Sequence, residues 1–320
     1  MEVIDVSIIV PTFNRCELVK RAVESLFAQN FPVRKYEVIV VVDGSEDGTA
    51  DSLREMRAPC RFRIVEQPNG GPAMARNSGA RVAEGDLLLF VDDDMLCVPE
   101  LLEAHVEAHR NEPRTVGFGC ILLSLESPPS LAAECFNREL GAIYLRQKAR
   151  GADAIEDLEP VFANSSLPRQ LLEEAGGFDA SFRMREDLEL WVRLAAMQVR
   201  PTYVERAIAY QYYAKTGADL IRDAEAFAVA DVMFARKHPE ARHHGQLRLL
   251  EQTPRWKRPL RRIAAISPAA ADLLLAPLCG LGEAFFKAPA LRNVGVRALQ
   301  MRRRIHWFHR VLALGMPKAN

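Results

Sequence analysis

Five short, nearly uninterrupted apolar runs, Val6–Val10, Glu37–Val42, Arg61–Glu66, Asp86–Val91 and Thr115–Leu122, have strand length and alternate with segments of helical period, Glu17–Gln29, Thr49–Met56, Pro72–Ala83 and Pro99–His109. Strands joined through helices run parallel and are covered on both faces, so the pattern predicts an α/β fold with a mostly parallel, Rossmann-like sheet flanked by helices. In such a sheet ligands bind beyond the carboxyl ends of the strands. Four segments place acidic, amide or glycine residues at that edge: Val6-Ser-Ile-Ile-Val-Pro-Thr-Phe-Asn14, Val41-Val-Asp-Gly-Ser-Glu-Asp-Gly48, Gly70-Gly-Pro-Ala-Met-Ala-Arg-Asn77 and Phe90-Val-Asp-Asp-Asp94.

After Leu122 the regularity breaks. A Ser-Pro-Pro-Ser turn at Ser127–Ser130, an irregular stretch to Asn164, and helical patterns at Pro168–Ala175, Glu186–Met197 and Ala218–Lys237 predict a second half packed on the same sheet. The expected organisation is one domain over 1–240, with halves 1–121 and 122–240, and a helical extension over 241–320. A chain of 320 residues that is 49% hydrophobic and 26% charged is long enough to bury the core this requires. Its six cysteines are scattered without a Cys-x-x-Cys pair, which points away from a disulfide framework or a zinc site and toward a reducing compartment. Met1–Asp5 leads straight into a strand without the basic start of a signal peptide, so the catalytic part is expected in the cytoplasm.

The zero net charge conceals an asymmetry. Residues 255–320 hold thirteen Lys and Arg against Asp272 and Glu283, a net of +11, and residues 1–254 carry the opposing −11.

The edge segments have chemical readings. Asp43 closes the second strand ahead of Gly44 and Ser45, where a carboxylate can accept from a base N–H and glycine lets a ligand approach the backbone. The plain alternative is a helix-capping loop, since Ser45 and Asp47 are good caps. Gly70-Gly71-Pro72 followed by Arg76 and Asn77 sets a cation and an amide near a helix N-terminus, a place suited to phosphate, with a solvated helix face as the alternative. Asp92, Asp93 and Asp94 would repel one another at a strand end unless a cation intervened, and Mg²⁺ or Mn²⁺ takes such oxygen ligands while leaving room for phosphate. Pro11-Thr-Phe-Asn-Arg15 stands where a dinucleotide-binding fold has Gly-x-Gly-x-x-Gly, which weakens that reading. Gly176-Gly177-Phe178-Asp179 precedes Arg185-Glu-Asp-Leu-Glu-Leu-Trp191, a helix start that leaves Glu186 and Asp187 in its first turn. Either the pair includes a general base or it simply caps the helix.

Taken together in this order, the motifs of residues 5–215 resemble glycosyltransferase family 2, enzymes of the GT-A fold that transfer a sugar from a nucleotide-sugar with inversion. The resemblance implies that Pro11, Thr12 and Arg15 lie at the nucleotide and that Asp43 reads the base. It implies that Arg76 and Asn77 border the diphosphate. Asp92 and Asp94 match the outer residues of the metal-binding Asp-x-Asp, with Asp94 the direct ligand of Mn²⁺ or Mg²⁺, Asp92 nearer the ribose and Asp93 between them in the nucleotide-sugar site. Gly177, Phe178 and Asp179 match the acceptor-side turn, and Glu186-Asp187 the pair whose aspartate is the base. The implied donor is a nucleotide-diphosphate sugar, a UDP-sugar foremost, and the acceptor a hydroxyl of a glycan or lipid-linked glycan. Where many relatives have a histidine, this chain has Tyr210-Gln-Tyr-Tyr213 and Lys215, so a histidine ligand is not expected there. A nucleotidyltransferase and a catalytically silent sugar-binding homologue are the other readings. The first lacks its phosphate loop here; the second sits poorly with the presence of Asp94 and Asp187.

The basic extension contains a run free of Lys and Arg over Ile263–Phe286, between Arg255–Arg262 and a stretch holding Arg302–Arg304, Trp307 and Phe308. Asp272 and Pro277 sit mid-run and count against a membrane span. The expectation is amphipathic helices on an anionic membrane surface at the inner face of the cell membrane, with a re-entrant segment or a soluble helical cap as alternatives. No nucleic-acid motif accompanies the charge, and no nucleic-acid partner is expected.

Overall fold

A computed structural model describes residues 4–110, 112–150, 162–244, 246–247 and 267–315. Two compact units emerge: one comprises the described residues up to Ser124 with Ile143–Tyr212, the other Leu125–Ala142 with the described residues from Tyr213 onward.

The first unit is built on a mixed sheet of strands β1 (Val6–Thr12), β2 (Tyr36–Asp43), β3 (Arg61–Gln67), β4 (Leu87–Val91), β5 (Met95–Cys97), β6 (Thr115–Leu123), β7 (Asn164–Pro168) and β8 (Arg200–Gln211), in the order β3-β2-β1-β4-β7-β6-β8-β5. The β3-β2-β1-β4 half is parallel throughout. Its side chains sort by the period of two. Val6, Ile8, Val10, Val38, Val40, Val42, Leu87, Leu89 and Val91 face one layer, and Ile9, Ile39, Val41, Leu88 and Phe90 face the other.

Helices α1 (Cys16–Phe27), α2 (Thr49–Arg54) and α4 (Leu101–His109) contribute Val19, Val23, Leu26, Leu53, Leu101 and Leu102 to the first layer. Helices α3 (Pro72–Val82), α6 (Arg169–Glu174) and α7 (Glu186–Ala196) contribute Ala73, Ala75, Leu171, Leu172, Leu190, Trp191 and Leu194 to the second. Pro72 at the first position of α3 gives up an N–H that has no helical partner anyway.

The second half departs from the expected pattern. β7 inserts antiparallel between β4 and β6, and β5 pairs antiparallel with β8. Much of the stretch expected to be irregular is a helix, α5 (Leu131–Arg150); residues 151–161 lie outside the described residues. β7 is polar in sequence yet buried, because Asn164 donates to the carbonyls of Cys120 and Ala207 while His105 holds Asn164 and Ser166 at 2.9 and 2.8 Å.

The second unit is helical. Helix α8 (Gly217–Lys237) starts in a capping box between Thr216 and Asp219. Its Ala224, Ala228, Val232 and Ala235 pack on Trp307, Phe308 and Val311 of helix α10 (Pro289–Ala313). The Trp307 indole donates to the buried Asp231 carboxylate at 2.8 Å. Helix α9 (Pro268–Ala284) meets α10 where Gly282 and Gly295 touch; a Cβ on Gly282 would lie 2.7 Å from the Gly295 Cα. Arg255–Arg262 and residues 263–266 lie outside the described residues.

Candidate active site

The acidic triplet follows β4 in a tight turn, Met95 N–H reaching back to Asp92 O at 3.3 Å, and β5 then pairs with β8. Each aspartate has its own surroundings. Asp93 is buried and accepts from Thr12 Oγ1 and Arg15 Nη1, both at 2.8 Å. Arg15 also reaches Asp94 at 3.2 Å, and Gln211 Nε2 lies 3.1 and 3.3 Å from its two oxygens. Asp92 takes a 2.8 Å bond from Arg76 Nη2. Burial and the charges of Asp92 and Asp93 push the Asp94 carboxyl up to about 7, with Arg15 and Gln211 opposing. Burial likewise raises Asp93, while burial of Arg15 is outweighed by Asp93 and Asp94, which hold its guanidinium protonated.

At the end of β2 the Asp43 carboxylate organises a loop. It accepts from Gln67 Nε2 at 2.7 Å, Gly70 N–H at 2.8 Å and Gly71 N–H at 2.7 Å. A carboxylate has about four acceptor positions, so one remains for a ligand N–H. Gly71, at φ 86°, lies against Arg183, whose Nη1 a Cβ there would approach to 2.8 Å; Arg183 also donates to Asn69.

Arg76, 5% exposed, joins the two halves of the unit. Its guanidinium donates to Asp92 and, at 2.6 Å, to Glu186 in the first turn of α7, and lies 5.6 Å from the Phe178 ring. Asp92, Glu186 and Asp187 together keep it charged in spite of burial. Neighbouring Asn77 bonds the Phe178 backbone with both ends of its amide, donating at 2.7 Å and accepting at 2.8 Å. It thereby clasps the Gly177 turn, where φ is 77° and a Cβ would come within 2.8 Å of Asn77 Oδ1. Asp179 accepts from Ser181 N–H at 2.9 Å, closing an Asx turn.

Arg185 enters α7 in a left-handed conformation, φ 67°, a strained geometry for a residue with a Cβ. Asp187 Oδ1 accepts from Leu188 N–H at 2.7 Å, and no hydrogen bond to Oδ2 is present among the described residues. Burial first, and then the Glu186 charge, raise the Asp187 carboxyl above its ordinary range, with Arg185 and Arg76 opposing.

Thr12, Arg15, Asp92, Asp93, Asp94, Arg76, Glu186 and Asp187 therefore belong to one charged network, to which Asn77, Phe178 and Gly177 are clasped. Pro11 precedes it on β1, and Asp43 sits on a neighbouring strand end with its own loop. Sequence reasoning named the Tyr210–Tyr213 segment without giving Gln211 a role, and did not single out Gln67 or Arg183. Amides and a loop arginine carry no motif of their own, and Gln211 reaches Asp94 only because β5 and β8 pair.

The donor chemistry fits a hard divalent cation. Asp92, Asp93, Asp94 and Glu186 set four carboxylates against the guanidinia of Arg15 and Arg76. Among the described residues no three His, Cys, Asp or Glu side chains converge on one point. Mg²⁺-type sites in nucleotide enzymes need no such cage, because one or two carboxylates suffice when phosphate and water complete the shell.

Residues 7–150 match the family model for "Glycosyl transferase family 2". Validoxylamine A glucosyltransferase of Streptomyces hygroscopicus subsp. jinggangensis (strain 5008) is 33% identical over 219 residues, covering 59% of this chain and 51% of that one. Poly(ribitol-phosphate) beta-N-acetylglucosaminyltransferase TarS of Staphylococcus aureus (strain Mu50 / ATCC 700699) is 34% identical over 111 residues, covering 33% and 19%. The chain spans about half the length, or less, of these curated relatives. The mannosyltransferase PcManGT from Pyrobaculum calidifontis, solved in complex with GDP-Man and Mn2+, superposes with a TM-score of 0.65 at 21% identity, covering 98% of this chain and 89% of that one. At that identity the likeness is one of fold, the GT-A arrangement.

Proposed function

We propose that the chain, whose residues 7–150 match the model of glycosyltransferase family 2, is an enzyme of that family and transfers a sugar from a nucleotide-diphosphate sugar to an acceptor hydroxyl with inversion at the anomeric carbon. The observation that supports this reading best is the Arg76 bridge, which joins the aspartate triplet at the end of β4 to the Glu186-Asp187 pair at the start of α7. One pole suits the leaving diphosphate and the other the attacking hydroxyl.

In this mechanism Asp43 receives a base N–H at its remaining acceptor position, and Pro11, Thr12, Arg15 and Asp93 form the wall along the nucleotide. Asp92 faces the ribose. Asp187 Oδ2 takes the proton of the acceptor hydroxyl as the oxygen attacks C1, and its raised pKa makes it a better proton acceptor than an ordinary carboxylate. Gly177, Phe178 and Asp179, clasped by Asn77, shape the acceptor side, and Glu186 anchors α7 to Arg76. Asp94 and Asp92 would hold Mn²⁺ or Mg²⁺, whose chemistry is to neutralise the departing diphosphate. PcManGT, with its GDP-Man and Mn2+, and TarS, whose residues 1–349 were solved with UDP, are precedents in this fold. A single in-line displacement inverts the anomeric centre.

The proposed acceptor is a glycan or lipid-linked glycan, met by domain 1–240 at the cytoplasmic face of a membrane to which the basic extension 241–320 holds the protein. Among the described residues no helix is long and apolar enough to cross a membrane. The test is turnover. UDP-, GDP- and dTDP-sugars are each incubated with the chain and Mn²⁺, nucleoside diphosphate release is followed, and the product anomer is assigned by NMR. Inverted product from one donor is expected; nucleotide release from none of them, or a retained anomer, refutes the assignment.

A further inference from the structure

The donors around Asp43 are shared unequally between its two oxygens. The parallel register pairs Asp43 with Gln67, so the two side chains leave neighbouring strand ends on the same face, and Gln67 Nε2 donates to Asp43 Oδ1 at 2.7 Å. Gly70 N–H donates to the same oxygen at 2.8 Å, whereas Oδ2 receives only Gly71 N–H, at 2.7 Å. Oδ1 has therefore used both of its acceptor positions, and Oδ2 keeps one.

The carboxylate is held against turning to change that allotment. Two of its donors are backbone amides of the loop that opens α3, and Asn69 Nδ2 ties the same loop to the Asp43 carbonyl at 3.1 Å. The chain beyond Asp43 passes so close that a Cβ on Gly44 would lie 2.7 Å from Asn69 N. Asp43 itself is buried, 4% exposed. Gln67 is the one side chain among the three donors to the carboxylate; it stands half-buried at the end of β3, and its removal leaves the backbone frame in place. Nucleobases differ in what they bring to such a group. Uracil offers a single N–H, at N3. Guanine offers N1–H and its 2-amino group side by side, an edge that a carboxylate answers with one acceptor on each oxygen. With Oδ1 filled, the 2-amino group has no partner there, and a buried donor without a partner is selected against.

We propose that Gln67 sets the base specificity of the nucleotide site: by filling the second acceptor position of Asp43 Oδ1 it restricts the carboxylate to a base edge with one N–H, as in uracil, and excludes guanine. This rests on the nucleotide-sugar reading above and names the residue that selects the nucleotide. Calorimetry in the presence of Mn²⁺ compares UDP, GDP and inosine 5′-diphosphate, which share the ribose and diphosphate and differ in the base alone. Inosine diphosphate is GDP without the 2-amino group. UDP should bind tightest, and inosine diphosphate about tenfold or more tighter than GDP, the usual scale for one unpaired buried donor. Gln67→Ala frees the Oδ1 position and should close most of the gap between GDP and inosine diphosphate. That ratio is taken within each protein, so a general loss of affinity or stability cancels. Inosine diphosphate binding no tighter than GDP, or a gap that Gln67→Ala leaves intact, overturns the Gln67 assignment, while UDP binding keeps the transferase reading standing. Absence of binding by all three to the unaltered chain overturns both.

Discussion

Replacing Arg76 with methionine isolates the electrostatic design of the site. The methionine keeps most of the apolar stem and removes a guanidinium that holds two carboxylates at 2.6 and 2.8 Å. Glu186, with 10% of its side chain exposed, and Asp92, with 30%, would then lose their shared cation, Arg15 still acting on Asp92. Removing one member of a buried ion pair typically costs about 3–5 kcal/mol, and the partial exposure of Asp92 places this case near about 3 kcal/mol. The stranded charge, rather than lost packing, should dominate that cost. A second substitution, Glu186→Gln, should therefore restore about 1–2 kcal/mol although it removes a further hydrogen-bonding group. Urea unfolding of the native chain, Arg76→Met, Glu186→Gln and the double variant, compared at constant m, measures each quantity. A loss below about 1 kcal/mol for Arg76→Met, or a double variant no more stable than Arg76→Met, would refute the reasoning.

Three further outcomes are expected. Asp187→Asn should retain nucleotide-sugar affinity while losing transfer by about 10²–10⁴-fold; because the raised carboxyl must be ionised to act, native activity should fall as pH drops through the neutral range, above the ordinary carboxylate value of about 4, and the variant's residual activity should lack that limb. Asp94→Ala should abolish Mn²⁺-dependent nucleoside diphosphate binding by calorimetry, and unchanged binding would move the cation elsewhere. His105, fully buried, has its imidazole pushed down to about 4 by burial, so the unfolded chain, at about 6.5, takes up the proton first. Its share of the stability is complete above about pH 6.5 and falls as pH drops toward 4, by about 2 kcal/mol at pH 5; His109, which burial also lowers to about 4, adds a dependence of the same sign, so His105→Gln should reduce the slope in urea unfolding without abolishing it, and an unchanged slope would exclude His105 as a source.

The sequence by itself determined the parallel half of the fold and which acidic residues stand at its strand ends. Where both faces of a strand are covered, apolar runs become continuous, and β1, β2 and β4 are legible from composition alone. Asp43 and the Asp92–Asp94 triplet were legible for the same reason, since a strand end fixes where the next residues lie. Tertiary structure decided the remainder. β7 reads as a loop, because Asn164, Ser165 and Ser166 become strand residues only when His105 and distant carbonyls satisfy their polar groups. In sequence Arg76 and Asn77 read as a cation and an amide near a helix N-terminus, suited to phosphate or else to a solvated helix face. Only folding shows that Arg76 is buried between carboxylates 16 and 110 residues away and that Asn77 closes on Phe178. Gln211 carries no local signal, and the pairing of β5 with β8 alone brings it to Asp94. Periodicity and strand ends are local and repeat along the chain, whereas the partner of a buried charge depends on which distant segments the sheet brings together.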